Sequence, residues 1–221
     1  MSKISISSSK SALSTTLAEH VKNLSRSSIT SRGKFTVALS GGSLPSALFA
    51  GLSEAGSVDW SCWHVFFADE RCVSLGDEES NFRGAEAGLK YVPRNQIHTI
   101  SEDLIQEPEK AAVAYETTMR EVLGPEMSMD LVLLGIGPDG HTCSLFPDHA
   151  LLNESERFVR GIVDSPKPPS KRITFTFKVL AAARNVAFVV TGEGKNETVR
   201  RILEDKDMEL PATRGKFCRF N

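Results

Sequence analysis

The run Phe35-Thr36-Val37-Ala38-Leu39-Ser40-Gly41-Gly42-Ser43-Leu44-Pro45 decides how the chain folds. A largely apolar, β-prone stretch breaks at a Ser-Gly-Gly-Ser turn. Beyond the turn, Ala47, Leu48, Gly51 and Leu52 fall on one helical face. A strand feeding a helix through a glycine turn is the opening half of a βαβ unit. The same grammar recurs downstream. His64-Val65-Phe66-Phe67 reads as a strand ending at Ala68-Asp69-Glu70-Arg71, followed by a polar loop to about Asn81. Residues 111–123 read as a helix, with Ala112, Tyr115, Met119 and Val122 at helical spacing. Asp130-Leu131-Val132-Leu133-Leu134 is another apolar strand, and it ends in Gly135-Ile136-Gly137-Pro138-Asp139-Gly140-His141. Residues 172–177 alternate as a strand does, residues 185–190 form a further apolar strand, and a helix runs on through Leu203. Upstream, Ile4 and Ile6 suggest a first strand, and Leu13, Leu17, Val21 and Leu24 a helix face. The expectation is an α/β protein: a single-domain, Rossmann-like three-layer fold over residues 1–221, with a mostly parallel sheet flanked by helices. Ligands in such folds sit at the carboxyl ends of the strands. The Pro-dense stretch Ser165-Pro166-Lys167-Pro168-Pro169-Ser170 lies between strand-like segments and reads as a stiff loop, not a domain linker.

Composition narrows the function. Of 221 residues, 40% are apolar and 24% charged, ordinary values for a globular protein. With 26 Lys+Arg against 28 Asp+Glu, the net charge of −2 argues against a nucleic-acid partner. No apolar run approaches the ~18–20 residues that span a bilayer. Cys62, Cys72, Cys143 and Cys218 are far apart and form no CxxC pair, so neither a disulfide framework nor a zinc site is expected, and a reducing cytoplasm suits them. Residues 1–34 hold 11 serines, 6 Lys/Arg and one acid, Glu19, a composition that a transit peptide shares. The periodic face over 13–24 favours a folded helix instead.

Four constellations could carry chemistry. Ser40-Gly41-Gly42-Ser43 sits between a strand and a helix, where glycines allow close backbone approach and helix N–H groups hold phosphate. It also reads as a plain turn with Ser43 as the helix cap. A rival reading treats Ala38-Leu39-Ser40-Gly41-Gly42 as a nucleophile elbow, with Ser40 attacking and His141 as its base, although alanine replaces the first glycine. Asp69-Glu70-Arg71 places three charges at a strand end: Arg71 could clamp a phosphate and Asp69 could orient a histidine. The third, residues 135–142, is a constrained loop presenting His141, whose pKa near neutrality suits proton transfer. His20, His64, His98 and His149 lack such surroundings and read as structural. Lastly, Lys167, Lys171 and Arg172 could complete an anion site. Gly192-Glu193-Gly194-Lys195 fails the P-loop spacing and reads as a helix start.

Taken together, these segments resemble the 6-phosphogluconolactonase family. The likeness rests on residues 37–43, on Phe67-Ala68-Asp69-Glu70-Arg71-Cys72-Val73, on Ser80-Asn81-Phe82, on residues 135–147 ending in Ser144-Leu145-Phe146-Pro147, and on the Pro-rich loop with Arg172-Ile173-Thr174. It runs from the first helix to about Leu203. Relatives carry a longer tail than the close at residues 217–221. The resemblance implies hydrolysis of 6-phosphoglucono-δ-lactone to 6-phosphogluconate in the oxidative pentose phosphate pathway, without metal or cofactor; a cytoplasmic monomer is the accompanying expectation. It also implies a fold shared with glucosamine-6-phosphate deaminases. Carried onto this chain, it implies a phosphate turn at Gly41, Gly42 and Ser43, a phosphate arginine at Arg71, and a general base at His141 with Asp69 beside it. A further cation after the Pro-rich loop falls to Arg172, with Lys167 second. The alternatives are a sugar-phosphate deaminase or isomerase, the Ser40 hydrolase, and a non-enzymatic sugar-phosphate sensor.

Overall fold

The computed structural model describes residues 4–214. Its elements run α1 (Lys10–Arg32), β1 (Phe35–Leu39), α2 (Leu44–Glu54), β2 (Trp63–Phe67), β3 (Asp69–Arg71), α3 (Asn81–Leu89), α4 (Pro108–Leu123), β4 (Leu131–Leu134), β5 (Val159–Ile162), β6 (Arg172–Phe175), α5 (Phe177–Ala182), β7 (Val186–Phe188), α6 (Asn196–Arg200) and α7 (Pro211–Arg214). Strands β2-β1-β4-β7 form one sheet in that order, and every pair in it is parallel. From β1 the chain steps outward to β2, then returns past β1 to β4. That reversal makes a switch point between β1 and β4, with a crevice beyond their carboxyl ends.

Alternation along the strands sorts the core into two faces. Phe35, Val37 and Leu39 of β1, Trp63, Val65 and Phe67 of β2, and Leu131 and Leu133 of β4 pack with α1, α2 and α3. Ala38, Phe66, Val132 and Leu134 face the other way, onto α4, α5 and a second sheet. Both faces are therefore buried, which explains why these strands read as unbroken apolar runs. The buried Asp130 ties β1 to β4 at their amino ends, accepting from Thr36 N at 2.9 Å and pairing with Arg32 at 2.6 Å.

The second sheet, β3-β6-β5, is antiparallel and belongs to one of the outer layers. Its β6 is the strand expected over 172–177, shortened to Arg172–Phe175 because Thr176 caps α5 and Phe177 begins it. Asp69-Glu70-Arg71 is likewise a strand of this sheet, not a turn at the end of β2. Phe175 N donates to Ala68 O at 2.8 Å, which joins the two sheets at the step from β2 to β3.

Other expectations change. Ile4 and Ile6 lie in an irregular segment, and Ile6 is 94% exposed, since no neighbouring edge takes it up. Ser43 precedes α2, but its hydroxyl makes no capping bond, because the residue is already in helical conformation. The helix expected through Leu203 is α6, which ends at Arg200 and gives way to a π-helical turn over Arg201–Asp205. Cys218 and the tail at 217–221 lie outside the described residues. Cys62, Cys72 and Cys143 are free thiols. Among the described residues, no helix is long and apolar enough to cross a membrane.

Candidate active site

Strands β1, β2 and β4 all deliver their carboxyl ends to one edge of the parallel sheet. The loop after β4 is folded by its own hydrogen bonds: Gly137 N donates to His141 O at 2.9 Å, and Thr142 Oγ1 to Gly135 O at 3.0 Å. Gly137 must be glycine here, because a Cβ would collide with the His141 ring and the Asp139 carboxylate. The loop thereby presses Asp139 Oδ1 to 2.5 Å from His141 Nδ1. Phe146 supplies the floor, its ring centroid 4.7 Å from that of His141.

Electrostatics assign the proton. Burial pushes the Asp139 carboxyl up, but the His141 hydrogen bond, the His141 charge and the Lys167 ammonium outweigh it and bring it to about 2. Asp139 is therefore ionised at neutral pH and accepts, so Nδ1 carries the hydrogen and Nε2 keeps a lone pair. Burial holds His141 below the usual imidazole range; Asp139 pulls it back up, and Lys167 adds to the lowering. The outcome is a neutral, partly exposed base (20% of the side chain is accessible). Lys167 Nζ stands 3.2 Å from Nδ1 and 3.0 Å from Asp139 Oδ2. Since Nδ1 and Nζ are both donors, the lysine's hydrogen bond goes to the carboxylate.

The sequence expectation that Asp69 orients His141 is corrected. Asp139 fills that role, two residues away on the same loop. Asp69 is buried and accepts from Ser144 Oγ at 2.7 Å, while Asn81 Nδ2 donates to its backbone oxygen at 2.8 Å. Arg172 also differs from expectation. Its Nε donates to Pro169 O, its Nη2 to Lys167 O and Pro168 O, and its Nη1 to Ser144 Oγ. Four of its five N–H groups are thus committed to the protein, and the side chain is buried. It shapes the loop that carries Lys167, so of the two cations Lys167 is the one left in contact with the histidine pair.

The Gly41-Gly42-Ser43 turn lies at the end of β1. Gly42 takes φ +73°, and Gly42 and Ser43 are exposed. Gly41 lies so close to the Asn81 carboxamide that a Cβ would collide with it. Arg71 is anchored through Nη1, which donates to Glu79 O at 2.7 Å and pairs with Glu79 Oε2 at 3.2 Å. Its buried Nε has no hydrogen-bond partner among the described residues. Ser40 Oγ is buried and equally unpartnered, with no hydrogen bond to His141, so the nucleophile-elbow pairing is not formed. Lys171 lies elsewhere, on Gln106. His149 caps Leu151 N and contacts Asp164, and His64 and His98 contact each other.

Sequence reasoning missed Asp139, Asn81, Ser144 and Phe146 as site residues, although all four lie in quoted motifs. An acid two residues before a histidine in a glycine-rich loop was the signal available for Asp139.

Comparison with known proteins adds the family context. A family model described as glucosamine-6-phosphate isomerases/6-phosphogluconolactonase matches residues 8–217. A Schizosaccharomyces pombe protein called a probable 6-phosphogluconolactonase is 43% identical over 220 residues, covering 92% of this chain and 85% of that protein. The human 6-phosphogluconolactonase is 42% identical over 233 residues, covering 98% and 90%. Among solved structures, the 6-phosphogluconolactonase of Trypanosoma cruzi superposes with a TM-score of 0.88 at 29% identity, covering 99% of this chain and 90% of that one.

Proposed function

The chain belongs to the glucosamine-6-phosphate isomerase/6-phosphogluconolactonase family, and from that premise we propose that it hydrolyses 6-phospho-D-glucono-1,5-lactone to 6-phosphogluconate in the oxidative pentose phosphate pathway. The observation that carries the reading is the 2.5 Å contact of His141 Nδ1 with an ionised Asp139, which leaves Nε2 as a base beside the switch-point crevice. His141 Nε2 takes a proton from water as the water oxygen bonds to C1 of the lactone. Asp139 steadies the imidazolium, and Lys167, the cation beside that pair, meets the negative charge that develops on the carbonyl oxygen. As the tetrahedral centre collapses, the bond from C1 to the ring oxygen breaks and His141 returns its proton to that oxygen. General acid–base action of this kind contributes roughly 10²–10⁴-fold.

The phosphate, remote from C1, is held by the Gly41-Gly42-Ser43 turn at the start of α2 and by Arg71, and its binding energy serves orientation. Asp69 bonds to Ser144 and reaches the imidazole only through its charge, which favours the protonated ring. Arg172 supports this site from behind, and Lys167 serves its chemical end. Protons and atoms balance without a metal or redox cofactor. We assign residues 1–221 to one catalytic unit, a cytoplasmic monomer with no nucleic-acid partner.

The test is a lactonase assay on freshly generated substrate, corrected for spontaneous ring opening, comparing wild type with His141→Ala. Loss of kcat with KM little changed is expected. Wild-type rates in the variant overturn the base assignment. Ammonia release from glucosamine 6-phosphate with no lactonase activity would transfer the chain to the deaminase branch.

A further inference from the structure

We infer that Asn81, seated by Glu70, is a positioning residue for the anion site: it packs the Gly41 turn at the end of β1 against Asp69 on β3, and so holds the turn in the shape that receives a phosphate. The inference rests on the reading of residues 41–43 as the phosphate turn.

Glu70 is 1% exposed, in the middle of the three-residue β3. Its Oε1 accepts from Arg71 N and Asn81 N, both at 2.7 Å. Its Oε2 accepts from Ser80 Oγ at 3.1 Å and Phe82 N at 2.8 Å. A carboxylate offers about four lone-pair directions, and here all are used. Two of the donors are the first N–H groups of α3, which a helix leaves unpaired. Ser80 Oγ in turn accepts from the third, Arg83 N, at 3.2 Å. A side-chain cap ordinarily satisfies one of these N–H groups. This nine-residue helix has a serine cap and a buried carboxylate together, and their joint effect is to immobilise Asn81, its first residue.

The Asn81 side chain is then the meeting point of three elements. Its Nδ2 donates to Asp69 O at 2.8 Å and approaches Asp69 Oδ1 at 3.3 Å, on the second sheet. Its carboxamide lies against the face of Gly41, on the first sheet, leaving no room for a Cβ there. The residue is 5% exposed. From Asp69 the contacts continue through Ser144 Oγ to Arg172 Nη1 and the carbonyl of Lys167. His141 itself is held directly by Asp139 and Phe146, with Lys167 Nζ beside it, and the route from Asn81 reaches this group only at the main chain of Lys167. Removing the Asn81 carboxamide therefore frees the Gly41 turn and leaves the base in place, which predicts damage to anion binding ahead of chemistry.

The experiment measures KM, kcat and the competitive Ki of inorganic phosphate for wild type, Asn81→Ala and Asn81→Asp, with a thermal midpoint for each. In Asn81→Ala, KM and the phosphate Ki rise together by about tenfold, while kcat stays within about threefold. Asn81→Asp, which cannot donate to Asp69 O and adds a negative charge, raises both further; if it does not fold, the alanine variant decides. A lowered thermal midpoint with the phosphate Ki unchanged assigns Asn81 to folding alone and overturns the inference. So does a fall in kcat with Ki unchanged. If inorganic phosphate does not compete with the lactone in wild type, the anion reading of residues 41–43 fails and the inference falls with it. Competition in wild type that persists unaltered in Asn81→Ala refutes the inference alone.

Discussion

Replacing Lys167 with methionine and Asp139 with asparagine should move the acid limb of kcat/KM in opposite directions. The working base is the neutral imidazole, so activity is lost as pH falls and His141 protonates. The Lys167 ammonium, 3.2 Å from Nδ1, opposes that protonation. A unit charge at this separation is worth ~1.3 kcal/mol in a water-like medium and ~5 kcal/mol at an effective dielectric of ~20. The Lys167 side chain is 40% exposed, which selects the screened end of the range. Losing the ammonium should therefore cost about fivefold in kcat/KM on the acid limb, roughly 1 kcal/mol, once each profile is scaled to its own alkaline plateau. Asp139→Asn acts with the reverse sign. Without the carboxylate the imidazolium loses its partner, protonation is postponed to lower pH, and the limb shifts down. The plateau also falls, on the order of 10²–10⁴-fold, because nothing now fixes hydrogen on Nδ1. Initial rates on fresh lactone from about pH 5 to 8, corrected for spontaneous opening, read both effects. Limbs that move the same way, or do not move, would refute the assignment of that titration to His141.

Arg71→Ala should raise KM with kcat changed little, since Arg71 is placed on the remote phosphate; steady-state kinetics showing a loss in kcat alone would contradict that role. Ser40→Ala should retain most lactonase activity, and a fluorophosphonate probe should not label the wild-type protein; labelling abolished by the substitution would restore the serine-nucleophile mechanism. His98 is pushed down to about 4 by burial and by neighbouring His64, whereas an unfolded histidine protonates near ~6.5. Between those values the unfolded chain binds more protons, so stability falls as pH drops through the window, by roughly 2 kcal/mol after allowance for the partial exposure of the ring. Urea midpoints for wild type and His98→Gln at either end of the window check this, and an equal slope in both proteins would sink it.

The parallel sheet was legible because β1 and β4 at its centre are buried on both faces and so appear as near-continuous apolar runs, Phe35–Leu39 and Leu131–Leu134. The second sheet was legible only at β6, where the alternation over 172–177 registers; β5 is four residues long and β3 three, and β3 is composed entirely of charges. Asp69-Glu70-Arg71 looks like a solvated turn until the partners are known: Asn81 and Ser144 on Asp69, four donors on Glu70, Glu79 on Arg71. No periodicity encodes those partners, which come from up to 75 residues away. The histidine loop was visible from its glycines, but the carboxylate that serves it was sought at a strand end when the loop itself supplied one. Arg172 shows the same limit in another form. Sequence records a cation near a proline-rich loop, but not that the loop turns its carbonyls toward the guanidinium.

The two cations of that loop divide the work according to their chemistry. A guanidinium presents a rigid fork of five donors and is less strongly hydrated than an ammonium, so it can be buried against several carbonyl oxygens at once. Arg172 is used in this way, with Pro169, Pro168 and Lys167 oxygens around it and the Phe146 ring centroid 5.7 Å from its Cζ. An ammonium is a compact charge on a flexible stem, suited to the rim of a site where negative charge comes and goes. Lys167 occupies that rim, against Asp139 and within 5.9 Å of the Phe146 ring centroid. Because Arg172 bonds to the backbone of Lys167 itself, the buried cation sets the position from which the exposed one acts. Phe146 carries His141 on its ring as well. The base and both cations therefore share one support, while the Gly41 turn lies against Asn81 at the start of α3. The chemical and anchoring ends of the site meet through Asp69 and Ser144, which makes the distance between them a property of the buried network and not of the exposed loops.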